Sequence, residues 1–432
     1  MKIPTLFHSL SHWQDSVIRR SLVVLGFSGA AMLFNMGLAY VATILLSLPE
    51  FGIFYLAITI TNVIFAPSIV LTLFYSRHFV VVAKKLGEQA AYSAIHHYIK
   101  RVSVWSGLAA LVLLIGLLSI GEQIGLRAPI IIVLIVLIDY LAYITETSRA
   151  AMQALHQFVR LGLYTLSWMA FRFLLAIAGL WLYGSVSVGL LGVALSAIVV
   201  FPFFYAWLKK QTKGVQAPVE LELPKFRKIL PVALGYSAFV VISYQDILLA
   251  YFVLSQSDLG IYTASTILPK GIIVLTLSVM QVVFPVMVGQ QHSAELRAGL
   301  IARSTIITVG AAIIASGMLI ASSGLVCSGT LGIRHCQTDL ISTMALAVIP
   351  LCIVRLLIMI QFARSKDWTP FLLLAPPTLA YVAYSYVYTS GVQQLATEFT
   401  MFSYLLLAYC CGLLMLQSNP ARQLVILISR NK

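Results

Sequence analysis

Charge is scarce in this chain. Only 10% of its 432 residues are Asp, Glu, Lys or Arg, against about 25% in a soluble domain. Acidic residues are the rarer sign, 14 against 28 Lys and Arg. With 60% of the residues hydrophobic, no soluble fold could bury so much apolar surface, so the solvent must be lipid. The five cysteines, Cys327, Cys336, Cys352, Cys410 and Cys411, form no CxxC and join no histidine cluster. No metal site and no cofactor are therefore expected. Paired carboxylates, a Ser/His/Asp set and a phosphate-cradling glycine loop are also missing from any exposed segment, so an enzyme is not expected. No cleavable signal is read at the start, because the first apolar run is long enough to span a membrane.

What the chain does have is a series of continuous apolar runs of about 20 residues. These select helices over a β-barrel, whose strands are shorter and alternate. Twelve spans are expected, at about 22–47, 52–76, 102–120, 128–149, 161–183 and 185–207, then 231–253, 260–286, 304–326, 340–361, 370–388 and 397–417. The expected fold is an all-α polytopic membrane protein of two six-helix bundles around a central cavity, at roughly 22–207 and 231–417. An interfacial helix precedes them at about 1–21, a linker joins them at about 208–230, and a tail follows at about 418–432.

A short phrase supports the division. Leu46-Ser47-Leu48-Pro49-Glu50-Phe51-Gly52-Ile53-Phe54 returns 208 residues later as Leu254-Ser255-Gln256-Ser257-Asp258-Leu259-Gly260-Ile261-Tyr262. Each copy lies between two apolar runs, as a tight turn joining two helices would. A repeat at half-length implies two related bundles facing each other.

The basic residues set the orientation. With the N-terminus inside, 23 of the 28 Lys and Arg fall on the cytoplasmic side, and only Arg127 and Arg334 fall outside. Both termini are then cytoplasmic, and the net charge of +14 reflects topology rather than nucleic-acid binding. The stretch Val80–Tyr98, with Lys84, Lys85, His96 and His97, is expected to lie along the inner headgroups. Cys327 and Cys336, nine residues apart in an outer loop, are either bridged or two loop thiols.

The remaining cations, Arg172, Lys270 and Arg355, fall inside spans. An ionisable group in hydrocarbon costs a few kcal/mol or more unless it is paired or wet, so each is a candidate for function. Lys270 follows Pro269 and sits about 15 Å from the outer end of its span at helical rise. It reads either as a cation facing a water-filled cavity or as one paired with a neighbouring carboxylate. Asp246 on the preceding span is within reach through the repeated turn. The pair could switch between states or be purely structural, and Gln245 and Tyr244 add hydrogen-bonding groups beside it. Asn35 and Asn62 are further candidates for the cavity wall, and Arg77 for its inner mouth. Asp139 and Arg172 are expected to neutralise one another inside the first bundle. Arg355 and Glu146 are expected to reach the inner interface, with Glu146 wet.

The second turn, preceded by Asp246-Ile247-Leu248-Leu249-Ala250-Tyr251-Phe252, resembles the polysaccharide biosynthesis family. This is the Wzx-like branch of the multidrug/oligosaccharidyl-lipid/polysaccharide (MOP) superfamily. Members read Asp, two apolar residues, Leu-Leu, a few apolar residues, then Leu-Ser-x-x-Glu-x-Gly-x-Tyr. Here Leu248-Leu249 stands one residue nearer the Asp, and Asp258 replaces the Glu. The resemblance implies a flippase working by alternating access in the bacterial inner membrane, with a cationic cavity. It implies a polyprenyl diphosphate carrying an oligosaccharide as substrate, for O-antigen, capsule or exopolysaccharide assembly. A polysaccharide polymerase and glycosyltransferases of the same pathway are the implied partners, and coupling to a proton or sodium gradient is possible. The alternatives are a MATE-like drug or metabolite antiporter, a membrane enzyme acting on the same lipid, and a non-transporting component of a glycan-synthesis complex.

Overall fold

The computed structural model describes residues 4–121, 128–211, 226–289, 294–328, 335–364 and 369–417. Within them, the side chains of 4–22 and 275–298, and of shorter stretches about 69–77, 226–233 and 359–373, are not all described. The described residues form twelve helices and no strand. The first six are α1 (Pro4–Leu45), α2 (Leu48–Leu86), α3 (Glu88–Ile120), α4 (Pro129–Ala154), α5 (Phe158–Tyr183) and α6 (Val186–Gln211). The second six are α7 (Phe226–Val253), α8 (Gln256–Gly289), α9 (Ala294–Ser328), α10 (Thr338–Arg364), α11 (Thr369–Tyr388) and α12 (Val392–Gln417). Ten stretches among them are long and apolar enough to cross a membrane, and the chain is a multi-pass membrane protein. Large side chains such as Val112, Trp181, Leu325 and Leu405 are left uncovered by the rest of the chain, as a lipid-facing surface requires.

The packing repeats with a period of six helices. α1 packs on α5 as α7 packs on α11, and α2 on α4 as α8 on α10. The pairs α3–α4 and α4–α6 likewise match α9–α10 and α10–α12. Contacts between the halves exchange in the same way, α1 with α8 and α2 with α7. This is the pattern of two bundles related by a pseudo-two-fold axis that passes between α2 and α8.

The repeated phrase is a helix start, used twice. Only Leu46 and Ser47 separate α1 from α2, and only Leu254 and Ser255 separate α7 from α8. The Ser47 N–H and hydroxyl donate to the Glu50 carboxylate at 3.0 and 2.6 Å. The Ser255 hydroxyl donates to Asp258 at 2.7 Å, while the Asp258 N–H donates to the Ser255 Oγ at 3.1 Å. A Ser followed three residues on by an acid satisfies donors that a helix N-terminus leaves open, which explains that spacing in both copies.

Several sequence expectations need correction. The interfacial segment is no separate element, because α1 runs unbroken for 42 residues. Val80–Tyr98 does not lie flat. α2 continues to Leu86 and α3 starts at Glu88, so the two form a helical hairpin around Gly87, whose φ of 90° suits a residue without a Cβ. That hairpin buries Phe79, Ile95 and Tyr98 against Phe158 and Phe204, and it exposes Lys84 and Lys85. Most of the linker and the whole tail after 417 lie outside the described residues.

Two further apolar cores hold the body. One fills the second half around Tyr236, Tyr262, Met344, Leu351 and Phe399. The other belongs to the first half around Leu38, Phe54, Ile135 and Leu190, but it includes Ala264, Ile267 and Leu268 of α8. The halves therefore share packed apolar surface near the turns, and the space between them lies toward the basic end.

Candidate functional site

A cavity of about 220 Å³ lies between the halves. α1, α2, α4 and α5 line it from one side, and α7, α8 and α10 from the other. Its wall includes four basic side chains, Arg149, Arg172, Lys270 and Arg355, and no Asp or Glu among the described residues. Tyr55, Tyr236 and Tyr244, with Asn35, Asn62 and Ser243, give it hydrogen-bonding groups, while Met32, Met36 and Phe239 are among its apolar contacts.

Lys270 is 4% exposed, on α8, which continues as a helix through Pro269. Its ammonium donates to the Asp246 Oδ1 at 2.5 Å and to the Ser243 carbonyl at 2.8 Å. It also stands 5.1 Å from the Tyr244 ring centre and 5.5 Å from that of Phe399, where the ring faces attract a cation. Asp246 is fully buried behind Lys270 and forms no part of the wall. Its second oxygen accepts from the Tyr262 hydroxyl at 2.9 Å. A charge pair so deeply buried holds only with its remaining hydrogen bonds made, and Tyr262 and Ser243 supply them.

Arg355 departs from expectation. It does not reach for the interface but turns into the protein, donating to the Ile273 carbonyl at 3.0 Å and to the Tyr236 hydroxyl at 2.6 Å. Its guanidinium lies 5.5 Å from the Phe239 ring centre. Glu146 is likewise buried, not wet. It pairs with Arg149 one turn along α4 and accepts from the Thr72 hydroxyl at 3.1 Å. The Glu146-Thr147-Ser148-Arg149 spacing signals that pair, since residues three apart share a helix face.

The expected pair of Asp139 and Arg172 is not formed. The two ion pairs among the described residues are Lys270–Asp246 and Arg149–Glu146. Arg172 points into the cavity, while Asp139 is buried inside the first bundle with neither oxygen hydrogen-bonded. The two residues sit on neighbouring helices but on faces turned apart. Of the other candidates, Asn35, Asn62 and Tyr244 line the cavity, and Gln245 is buried away from it with both amide atoms unpartnered. The side chain of Arg77 lies outside the described residues. Cys327 and Cys336 are bonded, with Cα atoms 5.4 Å apart.

Two symmetric bundles, exchanged contacts and a cavity at their junction together define a known architecture. The fold is that of the MATE transporters. A MATE in complex with MaD3S superposes with a TM-score of 0.72 at 13% identity, over 93% of this chain and 96% of the other. An outward-facing multidrug resistance MATE family transporter of the MOP superfamily gives 0.68 at 13% identity, over 93% and 95%. A MOP superfamily transporter from Pyrococcus furiosus gives 0.68 at 12% identity, over 91% and 93%. No model of a protein family matches the sequence, and no curated protein matches it. Within this MATE fold the cavity occupies the space between the two bundles.

Proposed function

We propose that the chain is a flippase that carries a polyprenyl-diphosphate-linked oligosaccharide across the bacterial inner membrane, for surface polysaccharide assembly. The observation that carries this reading is the sign of the cavity: four basic side chains and no carboxylate on its described wall. A diphosphate crossing a low-dielectric core is stabilised by cations near the midplane, and hydroxyl and amide groups replace the water lost by the sugars. The reading places both termini in the cytoplasm, from the asymmetry of Lys and Arg. It makes this conformation one that is closed at the outer, turn end. The protein would act as a carrier, not an enzyme, and would hand its substrate to a polymerase.

The MATE fold itself favours a second reading, export of a drug or metabolite. For the Pyrococcus furiosus transporter, reverse polarity of the binding pocket suggests a different function. Pocket polarity is the discriminating feature here too, and a cationic wall selects anions. Proteoliposomes test both readings. A fluorescent polyprenyl diphosphate oligosaccharide should change leaflet only when the protein is present, and cationic dyes should not compete. Protein-dependent movement of cationic dyes, with no movement of the diphosphate probe, would replace the first reading with the second.

A further inference from the structure

We propose that Glu146 sets the affinity of the cavity for its substrate: it holds Arg149 in this conformation and yields it to the substrate's phosphate. The proposal rests on the flippase reading above and adds to it a residue that lies behind the cavity wall.

The four cations of the wall are not equivalent. Two are backed by a buried acid, Lys270 by Asp246 and Arg149 by Glu146. In each case a hydroxyl also bonds the acid, Tyr262 to Asp246 at 2.9 Å and Thr72 to Glu146 at 3.1 Å. Neither acid belongs to the wall. Each bundle thus presents one wall cation with a carboxylate behind it.

The two pairs differ in how firmly the cation is held. The Lys270 side chain is 4% exposed, donates also to the Ser243 carbonyl, and is flanked by the Tyr244 and Phe399 rings. The Arg149 side chain is 15% exposed. Its Nη1 meets Glu146, while its Nε is buried without a hydrogen-bond partner. The hold on Glu146 is also lighter, because the single Thr72 proton is shared with the Ser68 carbonyl at 3.0 Å. Arg149 is therefore the cation free to change partners. Its guanidinium has five N–H groups in a planar fork that suits a phosphate.

Arg149 is also placed for first contact. It lies 20 residues from the turn end of α4, whereas Arg355, Lys270 and Arg172 lie 17, 14 and 11 residues from the turn ends of α10, α8 and α5. At about 1.5 Å per residue, Arg149 is the wall cation nearest the basic end. A ligand arriving from that side meets it first.

A phosphate that takes Arg149 leaves a buried carboxylate with the Thr72 hydroxyl alone. That loss subtracts from the affinity the phosphate would otherwise have. A carrier gains from it, since its ligand must bind well enough to enter and weakly enough to leave. One ion pair is exchanged for another, with no covalent bond altered.

The test uses the full chain and the fluorescent polyprenyl diphosphate oligosaccharide as probe. In nanodiscs, Glu146→Gln should bind the probe about tenfold more tightly, because Arg149 no longer has a carboxylate to leave. In vesicles the same variant should saturate at a lower probe concentration and reach a lower maximal rate, since release is slowed. Damage to the fold would weaken binding, not tighten it. Arg149→Gln should weaken binding, and adding Glu146→Gln to it should bring no tightening, as the two residues act as one pair. Thr72→Val removes the other donor to Glu146, ties the acid more closely to Arg149, and should weaken binding about threefold. Unchanged or weaker binding in Glu146→Gln overturns the proposal, as does tightening that persists alongside Arg149→Gln. If Glu146→Gln does not fold, Thr72→Val decides, and binding as tight as the parent's overturns the proposal. Where the parent moves the probe, these outcomes leave the flippase reading standing. A parent that neither binds nor moves the probe refutes that reading, and this proposal with it.

Discussion

Gly52 and Gly260, the matched glycines of the repeated phrase, face each other where the bundles meet. A Cβ on Gly52 would stand 3.4 Å from the Gly260 backbone nitrogen, and one on Gly260 would stand 2.5 Å from the Leu48 carbonyl oxygen. The starts of α2 and α8 therefore meet closely at one end of the molecule, with the Leu48 and Leu259 side chains packed about the two glycines. Gly260→Val should wedge that end apart, because backbone atoms cannot move aside as a flexible side chain can. In a background lacking other reactive thiols, Asn35→Cys reports the change through a membrane-impermeant maleimide. Adding Gly260→Val should raise labelling from the turn side several-fold and lower it from the basic side. Unchanged labelling from both sides would mean that this contact does not hold the end closed.

Much of this was legible in the sequence because it is local. Apolar runs give helices, and a Ser with an acid three residues on gives a helix start, so the repeated phrase predicts both its own structure and the pairing of the halves. Lys270 and Asp246 were legible as partners because a two-residue turn forces α7 and α8 to be neighbours. Azimuth was not legible. α4 is apolar nearly all round, so no amphipathic stripe tells which way Asp139 points, and depth alone paired it wrongly with Arg172. Arg355 misled for a related reason: position along a helix says how far a side chain could reach for water, not whether the Tyr236 hydroxyl and the Ile273 carbonyl lie closer.

The Lys270–Asp246 pair makes stability and transport separable. Lys270→Ala leaves a buried carboxylate without its cation and should cost about 3–5 kcal/mol, as breaking one side of a buried pair does. Transport should be lost with it. Replacing both residues, Asp246→Ala with Lys270→Ala, should recover most of that stability but no transport, because the cavity still lacks its midplane cation. Thermal unfolding in detergent and probe movement in vesicles read the two effects. Transport restored in the double variant would show that the pair is only structural.

Arg172 and Arg355 line the same cavity but should fail differently. Arg172 makes no ion pair among the described residues. Arg172→Gln should change stability by less than about 1 kcal/mol while weakening binding of a polyprenyl diphosphate roughly tenfold, or ~1.4 kcal/mol. Arg355→Gln removes two charge-assisted hydrogen bonds and should cost about 1.5–3 kcal/mol for each. Arg355→Lys should not rescue it, since an ammonium cannot span the Ile273 carbonyl and the Tyr236 hydroxyl as a planar fork does. Unfolding midpoints and probe titrations measure both. Equal losses of stability in the two variants would contradict the assignment.

The Cys327–Cys336 bridge tests which end faces out. It ties the end of α9 to the start of α10, where the Gln337 N–H donates to the Ser265 hydroxyl of α8 at 3.0 Å. Disulfides persist on the oxidising side of a membrane and are rare in the cytosol, so a stable bridge requires this end to lie outside. Membranes quenched with acid and alkylated before electrophoresis should show a mobility difference between reduced and unreduced protein. The difference should vanish in Cys327→Ser and equally in Cys336→Ser. Closing a loop this short stabilises by about 2–3 kcal/mol in the chain-entropy picture, so either serine variant should unfold at a lower temperature, and the double variant no lower than a single one. If alkylation instead finds both thiols free in the parent, the turn end is not exposed to an oxidising compartment. The orientation drawn from the Lys and Arg count would then have to be reversed, and with it the leaflet from which the substrate is taken.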